Sequence, residues 1–213
     1  MKKDTKKHID AEINRVLLND FDRVESFIIG KLKYLCIGAV AIIVLVGIGY
    51  GVMFKKERNE NAVRQTLANA STKAELVEAI GKYGKAKEAE IARFRLAEIY
   101  CTEKNYTEAA AVYKTIAQTS AVNEVKARAL LNEAFMFENS GKNEDAVKAF
   151  AAVGNNKVFP TGIRAEAFYS AVRLACKINK KDEAGNAFAQ IKMLANDESA
   201  AQWVNLAKAV YVK

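Results

Sequence analysis

Proline is nearly missing from this chain of 213 residues, with Pro160 the only one. Histidine is as scarce, with His8 alone, and three cysteines (Cys36, Cys101 and Cys176) lie far apart with no C-x-x-C. Each shortage excludes something. With almost no proline and much Ala, Glu and Lys, little interrupts a helix, and an all-helical chain is the first expectation. A single histidine near the N-terminus leaves no imidazole base elsewhere, and three scattered cysteines make neither a disulfide framework nor a zinc signature. G-x-S-x-G, P-loop and H-E-x-x-H patterns are also missing. The acidic neighbours Glu88 and Glu90, and Glu144 and Asp145, read as solvated faces or turns rather than general acids. The chain is therefore read as a non-enzyme that needs no cofactor and no metal. The net charge is +8, but no Lys/Arg run is interleaved with aromatics, so nucleic acid is not an expected partner.

What the chain does have is one long apolar run. Tyr34 to Phe54 holds 21 residues without a charge, eleven of them Leu, Ile, Val or Phe. As a helix it would span roughly 31 Å, the thickness of a bilayer's hydrocarbon core. Lys31 and Lys33 bracket one end, and Lys55, Lys56 and Arg58 the other. A retained membrane anchor fits better than a cleaved signal peptide, because a long tail precedes the run and no A-x-A site follows it. The flanking charges do not orient it, with Arg23, Lys31 and Lys33 on one side against Lys55, Lys56, Arg58 and Arg64 on the other. Gly47-x-x-x-Gly51 has the small-residue spacing that lets two helices approach, so a homodimer through these glycines is one expectation.

The tail before the run (1–33) is amphipathic. Ile9, Ile13, Val16, Leu17, Phe21, Val24 and Ile28 recur at steps of three and four, with Asp4 or Thr5 available as an N-cap. Its polar face mixes Glu12, Asp20, Asp22 and Glu25 with Arg15, which predicts a membrane-surface helix or one packed on a partner helix. After the run, residues 55–87 read as linker helices. Thr72 and Glu75 have capping-box spacing, and Gly81 and Gly84 suit the helix end.

From residue 88 the chain repeats. Ala109-x-x-x-Tyr113 is echoed by Ala146-x-x-x-Phe150 and Ala184-x-x-x-Phe188, at intervals of 37 and 38 residues. A polar turn precedes each: residues 104–108, 141–145 and 179–183. Before each turn lies an apolar helix: Ile91 to Cys101, Ala127 to Phe137 and Ala165 to Cys176. The small alanine lets the second helix of a pair sit close on the first, and the aromatic one turn later fills the space beside it. A last helix opens at Asn196-Asp197-Glu198-Ser199 and runs through Trp203, Leu206 and Tyr211, a cap for an array that cannot end on an open apolar face.

These positions resemble the tetratricopeptide signature: Leu96, Ala97, Tyr100, Tyr106, Ala109 and Tyr113 in the first unit, Ala134, Phe137, Gly141, Ala146 and Phe150 in the second, Val172, Ala184 and Phe188 in the third. With a usual period of 34, the longer intervals predict loops lengthened by three or four residues, as at 155–162. The whole plan is similar to the YfgM-like single-pass proteins of Gram-negative bacteria, ancillary subunits of the Sec translocon. Val24-Glu25-x-Phe27, Gly30-Lys31 and Lys104-Asn105-Tyr106-x-x-Ala109-Ala110 add to that likeness. The resemblance implies an inner-membrane protein with a cytoplasmic tail and a periplasmic repeat domain, whose partners are Sec subunits or exported clients.

The expected fold is thus all-α, with a transmembrane helix (34–54) followed by a tetratricopeptide-like solenoid of about three helix pairs (88–213) and a C-terminal capping helix. Stacked pairs expose their first helices on a concave face. That face would present Ile91, Phe94 and Glu98, then Arg128, Leu131, Phe135 and Asn139, then Glu166, Tyr169 and Arg173. It reads as an apolar, aromatic groove with Arg128 and Arg173 as isolated charges, suited to an apolar segment of a protein partner. The competing expectation is that neighbouring helices, the C-terminal one among them, fill it. The expected function is a membrane-anchored adaptor beside the export machinery or in envelope protein folding. The alternatives are a scaffold of another envelope assembly and a self-associating membrane protein.

Overall fold

A computed structural model describes the backbone of residues 2–211 and the side chains of 12–211 apart from 14, 17, 18, 20, 33 and 35. Every described element is helical. The first helix, α1, runs unbroken over Lys2–Asn69 and so joins the tail, the apolar run and the polar stretch after it. Asp4 and Thr5 therefore lie inside α1 rather than at its start; their side chains, with those of Ile9 and Leu17, fall outside the described residues. The chain forms two compact units, residues 1–61 and 62–213.

In the first unit the apolar side chains stay uncovered. Ile13, Val16, Phe21, Val24 and Ile28 in the tail, and the apolar residues described between Tyr34 and Phe54, are all exposed. This is the only described helix long and apolar enough to cross a membrane. Gly47 and Gly51 sit mid-helix, and a Cβ added at either would meet nothing within 4 Å.

The second unit begins at Ala62, so residues read from the sequence as linker belong to the packed domain. Leu67 near the end of α1, with Leu76 and Ala79 of α2 (Lys73–Tyr83), packs on Ala89, Ala92 and Leu96 of α3 (Ala89–Thr102). The capping box that opens α2 is formed: the Thr72 side chain accepts from the Glu75 N–H, and the Glu75 carboxylate accepts from the Thr72 N–H. Helix α2 ends at Tyr83 with Gly84 in right-handed geometry, and Gly81 lies inside it. What makes Gly84 small is close approach, because a Cβ there would stand 2.6 Å from the Ile80 carbonyl oxygen.

Three helix pairs follow: α3 with α4 (Tyr106–Thr119), α5 (Asn123–Asn139) with α6 (Asn143–Asn155), and α7 (Thr161–Lys177) with α8 (Lys181–Lys192). Each packs on its sequence neighbours, and α9 (Ala201–Tyr211) packs on α7 and α8. The pairs are turned by one repeated device. Lys104, Gly141 and Asn179 have φ of 60°, 79° and 61°. The N–H of each bonds the carbonyl three residues back, and the next N–H bonds one five back: Asn105 to Tyr100, Lys142 to Phe137 and Lys180 to Ala175, at 2.8 to 2.9 Å. That is the Schellman termination, which satisfies the last carbonyls of a helix while reversing the chain. Beyond each turn the recurrent alanines Ala109, Ala146 and Ala184 are fully packed, and Tyr113 and Phe150 are buried beside them, with Phe188 half-buried.

Most of the extra residues of the longer period are in the first helices, and the join between α6 and α7 (156–160) is two residues longer than that between α4 and α5. Helices α5 and α7 take 17 residues each against 14 for α3, and only Ser120–Val122 joins α4 to α5. The main core runs from α5 to α9 around Leu131, Phe150, Phe168 and Leu174. Gly154 belongs to it because the Phe168 ring lies where a side chain would be, 2.7 Å from an added Cβ. Asp197 opens the last segment by accepting from the Ser199 N–H, and a short 3₁₀ turn at Glu198–Ala200 leads into α9.

Candidate interaction surface

The residues expected to form a groove fall on three repeat positions of α3, α5 and α7. Ile91, Arg128 and Glu166 share one, Phe94, Leu131 and Tyr169 a second, Glu98, Phe135 and Arg173 a third. Their surroundings differ sharply along the array.

At the first position Ile91 is 60 % exposed, although it is a large apolar side chain. Arg128 is not an isolated charge: its Nη1 donates to the Glu166 Oε2 at 2.7 Å, from α5 to α7. Opposite charges at one repeat position meet because the first helices of successive pairs run alongside each other at equivalent heights. At the second position Phe94 is half-buried, edge-to-face on Tyr113 with ring centroids 6.1 Å apart. Leu131 is fully buried and is core, so it lines no open surface. Tyr169 is covered by Trp203 of α9, with centroids 5.6 Å apart. At the third, Phe135 turns inward against Phe150 at 4.8 Å. Arg173 is likewise no isolated charge, since both its terminal nitrogens donate to Glu138, at 2.8 and 2.6 Å. That bidentate contact raises the guanidinium's pKa further. Asn139 is exposed at the end of α5.

The surface is therefore graded. Its C-terminal part is closed, by α9 over Tyr169 and by two ion pairs across α5 and α7. Its N-terminal part is open at Ile91 and at the edge of Phe94. Glu138 was not among the expected residues, whereas the C-terminal helix that carries Trp203 was one of the two expected occupants of the groove. Glu138 had a signal, since it lies 35 residues before Arg173, close to one period.

Burial perturbs several titratable side chains of the packed unit. Tyr113 is buried, which pushes its phenol up to about 12. The Cys101 thiol is raised by the same cause and donates to the Met136 sulfur at 3.2 Å. Cys101 and Cys176 are both free thiols. Glu133 stands at the repeat position of the buried Leu96 and Ala171, and burial raises its carboxyl's pKa. Among the described residues no three His, Cys, Asp or Glu side chains gather as a metal site would need. Two shallow depressions, of about 410 and 420 Å³, lie against Glu75, Glu78 and Tyr83 and against Cys176, Lys181 and Tyr211.

No protein-family model, curated protein or solved structure matches this chain.

Proposed function

We propose that this protein is a membrane-anchored adaptor, in which a tetratricopeptide-like domain presents an apolar surface to a protein partner. The observation that carries the reading is the threefold recurrence of one helix–turn–helix unit, with left-handed residues at 104, 141 and 179 and packed alanines five residues after each. Such stacked units bind through side chains of their first helices. Here the exposed Ile91 and the half-buried Phe94 offer that contact.

The anchor in this reading is Tyr34–Phe54, whose uncovered apolar side chains suit hydrocarbon better than water. Tethering supplies the mechanism. Holding the domain at a membrane raises its effective concentration for partners there, so weak contacts suffice. We place the protein in a bacterial inner membrane, tail in the cytoplasm and repeats in the periplasm, among the subunits or clients of the export machinery. That placement comes from the resemblance of the chain's plan to the YfgM-like proteins.

The test is a photo-crosslinking residue at position 91 of the full chain, in native membranes. A Sec subunit or an exported client should be captured, and Phe94→Ala should reduce capture at least fivefold with helicity unchanged. Capture that Phe94→Ala leaves intact would sink the groove. Protease treatment of spheroplasts tests the side: a C-terminal tag that survives until the membrane is opened would overturn the periplasmic placement.

A further inference from the structure

We infer that the protein pairs with a second copy of itself along one face of α1, formed by Phe21, Val24 and Ile28 of the tail and Gly38, Ile42 and Gly49 of the apolar run. The inference rests on the reading of Tyr34–Phe54 as a membrane span.

At about 100° per residue, positions on one unbroken helix can be compared directly. Taking Val24 as reference, Ile28 lies about 40° to one side, Gly38 about 40° to the other, and Ile42 and Gly49 within about 20°. The tail stripe and these two glycines therefore share a face. Gly47 and Gly51 stand about 140° and 180° away, on the far side, so a dimer that uses the tail cannot also use them. The tail stripe is uncovered, with Phe21 73 %, Val24 56 % and Ile28 51 % exposed.

Lipid does not cover it. The helix passes Gly30 and Tyr34 without a break, which carries Val24 roughly 15 Å beyond the start of the apolar run. A helix lying on the membrane surface would have to bend there. A second copy meets the requirement, because identical anchors in one bilayer are parallel and at equal depth, so the same residues face each other. Gly38 and Gly49 let the backbones approach within the lipid. The seam from Phe21 to Gly49 runs for about 42 Å along the helix. Lys31 is the one charge on the seam, about 20° from Val24. Its ammonium lies over the Phe27 ring, 4.6 Å from the centroid. A single Lys on such a seam sets register and strand number at some expense of stability.

The experiment uses full-length chains in native membranes with Cys36, Cys101 and Cys176 changed to Ser and one new cysteine each: Val24→Cys, Ile42→Cys, Val40→Cys or Gly47→Cys. Mild oxidation should give a band of twice the monomer mass for Val24→Cys and Ile42→Cys, at least tenfold stronger than for Val40→Cys and Gly47→Cys on the opposite face. Bands dominated by Gly47→Cys, bands equal at all four sites, or no band of that mass would each overturn the pairing. Alkaline extraction of the same membranes reports on the span separately. Chains released into the soluble fraction would remove the membrane reading itself.

Discussion

The two compact units treat the same kind of side chain in opposite ways. In residues 12–61 every described Leu, Ile, Val and Phe is exposed, whereas in residues 62–211 all but Val77, Ile91, Val122, Val158 and Leu206 are buried or half-buried among neighbouring helices. Both regions are helical, so helix formation does not separate them. The difference is what the helix is given to pack on. In the repeat unit a small residue recurs wherever two helices must approach, as at Ala109, Ala146 and Ala184. Between Tyr34 and Phe54 the apolar residues surround the helix, and no other part of their unit covers them. A helix that is apolar all round takes its stability from the medium, and one with a stripe takes it from a neighbour.

Truncating one large side chain in each unit separates the two sources of stability. Phe150 is fully buried and meets Phe135 edge-to-face, so Phe150→Ala should lower the unfolding free energy of the repeat unit by about 3–5 kcal/mol. Ile43 is 70 % exposed, and Ile43→Ala should leave the same transition unmoved. Thermal unfolding of both full-length variants in detergent, followed by circular dichroism, checks this. A comparable fall for Ile43→Ala would show that the two regions unfold as one.

A smaller contrast lies between the two ion pairs that join α5 to α7. The Glu138 side chain is 14 % exposed and its partner Arg173 33 %, while Arg128 is 45 % exposed. Glu138→Ala leaves a half-buried guanidinium unpaired and should cost about 2 kcal/mol. Arg128→Ala removes a wetter pair and should cost about 0.5 kcal/mol. Equal losses in denaturant titrations would mean that burial does not grade these contacts.

Much of this organisation was legible beforehand, and the reasons differ by residue. The capping box at Thr72 and Glu75 is a local pattern, complete within four residues, and it forms as written. The three turns were legible because each needs a polar, left-handed residue at a fixed place after an apolar helix. The groove was not, because an inner position on a helix says nothing about what else reaches it. Leu131 and Phe135 point into the core and Trp203 arrives from α9, all facts of tertiary packing. The ion pairs are hidden for a simpler reason: the partners of Arg128 and Arg173 lie about one period away, on another helix pair. The start of the packed unit at Ala62 was hidden as well, since Leu67 and Leu76 look like any juxtamembrane apolar residues until Leu96 is set against them.

The entry into the repeat unit gives a pH-dependent test. Thr72→Ala should cost about 1 kcal/mol through loss of the cap. The other half of the box is Glu75, whose carboxyl the Ser71 and Thr72 N–H groups hold below its usual 4.5. A depressed carboxylate stabilises the fold above its unfolded pKa, and the contribution is lost as pH falls through the lower folded value. Glu75→Gln should therefore narrow the stability difference between pH 7 and pH 3. An unchanged pH profile would exclude the box as its source.

The smallest effects test whether the three turns are one device. Gly141 holds φ 79° without strain, so Gly141→Ala should cost about 1 kcal/mol. Lys104 holds φ 60° with a full side chain, so Lys104→Gly removes strain while adding freedom to the unfolded chain, for a net gain of about 0.5 kcal/mol. Asparagine tolerates that region better, and Asn179→Gly should be close to neutral. The order Gly141→Ala, Asn179→Gly, Lys104→Gly, from loss through zero to gain, follows only if all three positions carry the same left-handed backbone. A loss on Lys104→Gly would mean that its side chain does something the other two units do without, and the first turn would no longer be equivalent to its successors.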